Sequence, residues 1–437
     1  MKTTLVTIGS LLVGIVSTVS AEHLLHMFKK TQLTDKFWCE GATFGDLNRD
    51  GKADIVSGPY WYEGPDFTQR HEYYPATATF KLKKDGDEQT IEGFEGAFGV
   101  NNKYSDNFLA FVCDFNGDKW TDILIIGFPG EATVWFENPK GQAGHWAKHV
   151  ALDVTDNESP TFVDITGDKK PELVCSSKGF YGYAEPDWKN PIAPWRFHPI
   201  SPDNKYHRFT HGLGVGDVNG DERNDLLEKS GWWEQPKSLA GDPVWTYHKF
   251  EFTPIGGAQM YAYDVNGDGL NDVITSYAAH GFGLIWYEQF RTNGEISFKP
   301  HAILSPEQKR APNKYGVSFT ELHAIDLVDM DGDGLKDIVT GKRFWSHGHE
   351  GDPDRNDVAV LYWFKLVRGA RHAAEFVPHL IDDNSGVGTQ IVAGTCSDKK
   401  YPDMVVGNKR GTFYIQHSVK KVSRQEWDAA QPKLANP

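Results

Sequence analysis

Asp329-Met330-Asp331-Gly332-Asp333-Gly334-Leu335-Lys336-Asp337 is the stretch that organises the chain. Its carboxylates stand at offsets 0, 2, 4 and 8 with Gly at offset 5, a spacing that lets a tight loop wrap a hard cation. A helix-flanked calcium loop would run on to a bidentate Glu at position 12. Here Ile338-Val339-Thr340 follows at once and reads as a strand, so the loop is predicted to join two strands of a β-hairpin.

The same pattern recurs along the sequence. Its copies are Asp46, Asn48, Asp50 and Asp54; Asp114, Asn116, Asp118 and Asp122; Asp217, Asn219, Asp221 and Asp225; and Asp264, Asn266, Asp268 and Asp272. With Asp329, Asp331, Asp333 and Asp337, these are the expected calcium ligands. A further copy, Asp164 to Glu172, has the poorer set with Thr166, and one before Asp403 has lost most ligands. Each copy carries an apolar strand before the loop and one after it. An aromatic strand follows, as in Tyr60-Trp61-Tyr62-Glu63 or Ile285-Trp286-Tyr287-Glu288, and then a strand ending in His, as in Trp245-Thr246-Tyr247-His248. Four strands in each of seven repeats predict an all-β, seven-bladed β-propeller over residues 22–418, with 419–437 as a polar tail. The last repeat lacks a fourth strand, and His23 to Phe28 has the missing pattern. The segment Leu24 to Thr31 is therefore expected to complete the last blade and close the ring.

Lys2, the apolar run Leu5 to Val19 and the small residues Val19-Ser20-Ala21 read as a signal peptide over residues 1–21, cut after Ala21. The expectation is a secreted or periplasmic protein that does not span a membrane. The net charge of -15 argues against a nucleic-acid partner, whose phosphates need a basic surface. Cys39, Cys113, Cys175 and Cys396 permit three pairings, and spacing does not choose among them.

The Asp-x-Asn-x-Asp-Gly-x-x-Asp loops, together with Gly58-Pro59-Tyr60-Trp61-Tyr62-Glu63-Gly64-Pro65, resemble the FG-GAP or VCBS-type repeat shared with the integrin α-chain propeller. The run from Thr210 to Asp221, His211-Gly212-Leu213-Gly214 included, with Gly231-Trp232-Trp233-Glu234, is similar to the N-terminal propeller of aldos-2-ulose dehydratases. That resemblance implies elimination of water from keto-sugars such as anhydrofructose. The cupin domains of those enzymes have no counterpart in this sequence.

The cation loops mark one face of a propeller, so chemistry is expected on the other, before each first strand and between strands two and three. His211 and His323 both stand six residues upstream of a loop Asp. With Tyr277, Lys342 and Arg343 they are the candidate catalytic groups: a His or Tyr base for an α-proton and a cation for the enolate. His207, Lys229, Gln259, His280, Glu321 and Tyr60 are candidate substrate contacts. His347 and His349 form a possible zinc-type pair. Histidines at the fourth-strand position (His26, His71, His149, His198, His248, His301 and His379) repeat in the blades and read as structural, and the third-strand Trp residues read as packing. The leading expectation is a carbohydrate-active lyase or dehydratase; the competing one is a non-catalytic saccharide- or protein-binding adhesion module. They differ in whether His211 and His323 share one cavity with Tyr277, Lys342 or Arg343. A quinone-type dehydrogenase is disfavoured, since no cofactor-stacking pattern is evident.

Overall fold

Each predicted loop is the turn of an antiparallel hairpin. In the computed structural model, which describes residues 23–84, 86–98, 101–307, 309–348, 350–397 and 400–435, Val328 pairs with Asp337 across the loop quoted above. The expected leader and His349 lie outside the described residues.

Four antiparallel strands build each repeat, and the sheets follow one another round a β-propeller. The first sheet is Ala42–Gly45, Asp54–Ser57, Tyr60–Tyr62 and Arg70–Glu72. The fourth is Leu213–Gly216, Asp225–Glu228, Gly231–Glu234 and Thr246–Lys249. Ala147–Val163 serves two blades: its first half pairs with Glu131–Glu137 as an outer strand, and its second half with Glu172–Ser177 as the next inner strand. The inner strands of blades four and five touch through a parallel bridge, Gly214 against Met260. A Cβ on Gly214 would lie 1.9 Å from the Met260 carbonyl oxygen, so only glycine permits that approach.

The segment Leu24–Thr34 pairs antiparallel with Gly411–Lys421, from Leu24 against Lys421 to Thr34 against Thr412. The last strand thus runs to Lys421, into the 419–437 segment read from the sequence as a polar tail. After it, Ser423 caps the short helix Arg424–Ala430, and Trp427 packs against His23. The apolar core lies between blades rather than within them. One cluster joins blades five and six through Trp286 and Phe364, and another joins blades seven and one through Val405 and Ile55. Between the first and second blades, Thr79–Lys84 and Asp87–Glu92 form a separate hairpin. All four thiols are free.

The expected structural histidines show why the third and fourth strands carry their signature. Trp61–His71, Trp135–His149, Trp232–His248, Trp286–His301 and Trp363–His379 are directly opposed cross-strand pairs. Their ring centroids lie 4.0 to 4.6 Å apart. In four of these blades the Glu two residues after the Trp accepts from the imidazole, as Glu288 does from His301 Nε2 at 2.7 Å. Cross-strand aromatic pairs of this kind stabilise a sheet directly.

A second repeated contact ties neighbouring blades together. Gln289 Nε2 donates to the carbonyls of Val218 in blade four and Asn271 in its own blade, and Gln235 does the same to Ile165 and Asn224. Asn138 plays this part between blades one and two, toward Leu47 and Thr121. Gln289→Leu keeps the volume but leaves two carbonyls without a donor, so unfolding by denaturant should show a loss of about 1–3 kcal/mol. Gln289→Glu, which also lacks the amide donor, should be no better.

Candidate functional site

The positions just upstream of the inner strands converge at one end of the propeller, where the 343–357 insertion covers them. His211, His280 and His323 meet there with Glu158, and their ligand-type atoms all lie within 4.8 Å of one another. His280 Nε2 is 3.2 Å from His211 Nε2, and Glu158 Oε2 is 3.3 Å from the same His211 nitrogen. Ser346 Oγ bridges His280 Nδ1 at 3.2 Å and His323 Nε2 at 3.1 Å.

This arrangement is costly for imidazoles unless something uses their lone pairs. Burial, then the neighbouring His211 and His347, push His280 down to about 3. Burial, followed by His280 and Arg343, holds His323 well below the usual histidine range. Both rings are therefore neutral at neutral pH, the form that binds metals. His323 Nδ1 and both carboxyl oxygens of Glu321 are buried without a hydrogen-bond partner in the protein, a departure from normal satisfaction. Three imidazoles and one carboxylate fit a borderline divalent ion of the zinc type.

A graded environment surrounds the cluster. Glu321 sits behind the rings, its Oε2 3.7 Å from His280 Nδ1 and 3.8 Å from His323 Nδ1. Burial, then Asp352, raises its carboxyl to about 9, and its backbone is held in the left-handed region at φ 65. Such a conformation in a non-glycine residue persists only where its surroundings enforce it. Arg343 Nη2 lies 2.8 Å from Glu40 Oε2, and Arg343 Nη1 is 3.9 Å from Glu158. Burial alone would raise Glu158, but the His211 hydrogen bond and the charges of His211 and Arg343 bring it down to about 2. On the open side His347 stacks on His280 at 4.0 Å, and its Nδ1 is 2.8 Å from Asp352 Oδ1. The side chain of His347 is 47% exposed while that of Asp352 is 3% exposed, so the imidazole faces solvent and its partner does not.

Of the candidates chosen from sequence, His211, His323, His280, Glu321, Arg343 and His347 share this site. Lys342 borders it: Nζ donates to Thr320 Oγ1 at 2.7 Å, and burial lowers it to about 8. Arg343 is not a free oxyanion cation, because Glu40 and Glu158 hold it. His347 Nδ1 is tied to Asp352, and the expected pairing with His349 falls outside the described residues. Tyr277 is turned away and packs in the cluster between blades four and five. His207 is exposed beside Phe209, and Lys229 Nζ bonds the Pro254 carbonyl. Tyr60 is core, under the Arg70 guanidinium and against Trp38. Gln259 ties inner strands together, donating to Thr389 O and accepting from Ile325 N. Sequence reasoning placed Glu158 before a first strand on this face without choosing it as a candidate, and missed Ser346 and Asp352. Glu158 had a signal, since it too stands six residues before a loop Asp, whereas Ser346 and Asp352 lie in an insertion with no repeat to align.

On the opposite face the loops satisfy themselves in large part. Asp329 Oδ2 accepts from Gly334 N, and Asn266 Oδ1 accepts from Asp268 N. The last carboxylate of each full loop is buried; Asp272 accepts from Val265 N and Gln289 N. Acidic groups converge at Asp329, Asp331 and Asp333, where Lys365 pairs with two of them, and also at Asp164, Asp168 and Glu172, the set expected to be poorer.

The chain carries FG-GAP-like repeats: the family model so described matches residues 114–175 and 264–340. No curated protein matches the sequence. Among solved structures the chain is similar to an Agrocybe aegerita lectin described as recognising non-reducing terminal N-acetylglucosamine. That match has 15% identity over 86% of this chain and 84% of the lectin, with TM-score 0.43. It is also similar to a Bacillus licheniformis rhamnogalacturonan lyase, at 12% identity over 89% of this chain and 72% of the lyase, with TM-score 0.38. No helix among the described residues is long and apolar enough to cross a membrane.

If the cluster binds an ion, purified protein dialysed against zinc should retain one tightly held equivalent by elemental analysis. His323→Ala should lose it, and Ser346→Ala, which removes the bridge between two rings, should weaken binding roughly 10- to 100-fold. Equal zinc affinity in wild type and His323→Ala would show that zinc sits elsewhere.

Proposed function

We propose that the chain is an exported carbon–oxygen lyase that eliminates water from a keto-sugar at the His211–His280–His323 centre. The observation that carries this reading is a solvent-facing imidazole, His347, paired with the buried Asp352 and stacked on His280 of the buried cluster. The resemblance of the Thr210–Asp221 run to aldos-2-ulose dehydratases points to the same chemistry.

Glu158, His211, His280 and His323 would hold a divalent ion, which supplies positive charge beside the substrate's keto oxygen. Asp352 accepts from His347 Nδ1–H and so leaves Nε2 as the proton acceptor. His347 takes the proton α to the carbonyl, the electron pair forms the new C=C bond, and the β C–O bond breaks. The imidazolium returns its proton to the departing hydroxyl, so the products are an enone and water and the base is regenerated. Ser346 is a positioning residue whose hydroxyl bridges two of the rings. The His211 hydrogen bond and then Arg343, itself held by Glu40, keep Glu158 ionised.

Zinc-loaded protein incubated with anhydrofructose, other keto-sugars and uronate oligosaccharides should produce the ultraviolet absorbance of a conjugated enone with at least one substrate. His347→Ala should lower kcat about 10²- to 10⁴-fold at unchanged zinc content. Asp352→Asn should reduce kcat and displace the pH–rate profile. Absence of enone from every substrate, or undiminished turnover in His347→Ala, refutes the lyase. Saccharide binding without turnover would favour the adhesion-type reading.

On the other face we propose calcium as a structural ion in the full loops. Calcium at about 100 times its dissociation constant should stabilise the fold by about 2.7 kcal/mol per site. Melting temperature measured with calcium and with a chelator should therefore differ, and Asp331→Asn should shrink the difference; identical melting curves would exclude bound structural ions.

A further inference from the structure

A cleft of about 440 Å³ opens between blades one and two on the same face as the histidine centre. That volume lies in the range of small-molecule sites. One wall is the stacked pair Tyr74 and Phe136, with centroids 5.1 Å apart and planes at 15°. The other is Tyr104 against Phe128 at 5.3 Å. Asp106, Glu131 and Lys148 are exposed at its mouth, and Tyr74 Oη donates to Asp106 at 3.1 Å.

One residue, Tyr104, touches both the cleft and the histidine centre. Tyr104 lines the cleft with its ring while its hydroxyl donates to the Ser346 carbonyl at 3.2 Å. Ser346 is the residue whose hydroxyl bridges His280 and His323. The aromatic-walled recess therefore lies one side chain, Tyr104, away from the residue that bridges the rings.

Its chemistry selects an occupant. Aromatic faces take the C–H faces of pyranose rings, and a polar rim serves their hydroxyls. Two carboxylates against one ammonium make the rim net negative, which disfavours uronates and other acidic sugars. Resting on the lyase reading above, we propose that this cleft is a saccharide subsite for a neutral hexose unit adjoining the one that reacts. The substrate is then the keto-sugar end of a neutral oligosaccharide, rather than a free monosaccharide or a polyuronate.

The test is calorimetric titration of the full zinc-loaded chain with neutral gluco-oligosaccharides of one to four residues, and with oligogalacturonides of the same lengths. Affinity should rise about tenfold or more from the neutral monosaccharide to the longer members, the acidic series showing no such gain. Tyr74→Ala should flatten that dependence while monosaccharide affinity and zinc content stay as in wild type. Asp106→Ala, an exposed change that keeps the fold, should do the same in part, and melting curves of both variants check that they are folded. Length-independent binding by wild type, or a preference for the acidic series, overturns the subsite. Enone formed from a keto-monosaccharide would in that case leave the lyase standing. If no saccharide of any length binds, the subsite fails; if no enone forms either, the lyase fails with it.

Discussion

A buried carboxylate at the foot of the second strand holds each full repeat together. In blade five, Asp272 accepts from Val265 N at the start of the loop and from Gln289 N at the end of the third strand. Asp122, Asp225 and Asp337 make the same two bonds in their blades, to Phe115 and Asn138, Val218 and Gln235, and Met330 and Leu366. Burial pushes these carboxyls up to about 7 while the two amide bonds draw them down. In the ionised form those bonds are charge-assisted and among the stronger ones available to a protein. They fix the hairpin turn relative to the third strand. The register of that strand then sets the Trp–His pair, and through Asn138, Gln235 or Gln289 the carboxylate reaches the preceding blade.

The placement of the candidate site follows from that rigidity. With the loop fixed, the residue six positions earlier is delivered to the far end of the inner strand, near the propeller axis. Glu40, Glu158, His211 and His323 all occupy this offset, and in the structure they are linked by short contacts through Arg343 and His280. One geometric rule, repeated in several blades, thus assembles a charged centre that no single blade contains.

That rule is also the measure of what the sequence discloses. Repeat spacing exposed the four-stranded blades, the strand shared by the two ends of the chain and the pair His211 and His323, because all of these recur or complete a recurrence. The fourth-strand histidines were legible as structural for the same reason. The roles of Ser346, His347 and Asp352 were not, because they sit in an irregular insertion whose path depends on packing against Tyr104, Asn102 and Lys409. Tyr277 misled because residues between strands two and three can face either the axis or the neighbouring blade. In blade five the hairpin bond from Tyr277 N to Gly283 O turns the ring to the neighbour.

The pairing of Leu24–Thr34 with Gly411–Lys421 joins residues as far as 397 positions apart. Contacts of such sequence separation carry a large loop-closure cost and form late. During synthesis, six blades can acquire their hairpins while Leu24–Thr34 waits without its partner strand. The interface between blades seven and one, built on Val405 and Ile55, waits with it. A stalled or truncated chain would therefore present an open arc with an unpaired strand edge at one end, the kind of surface that chaperones hold and that aggregation exploits.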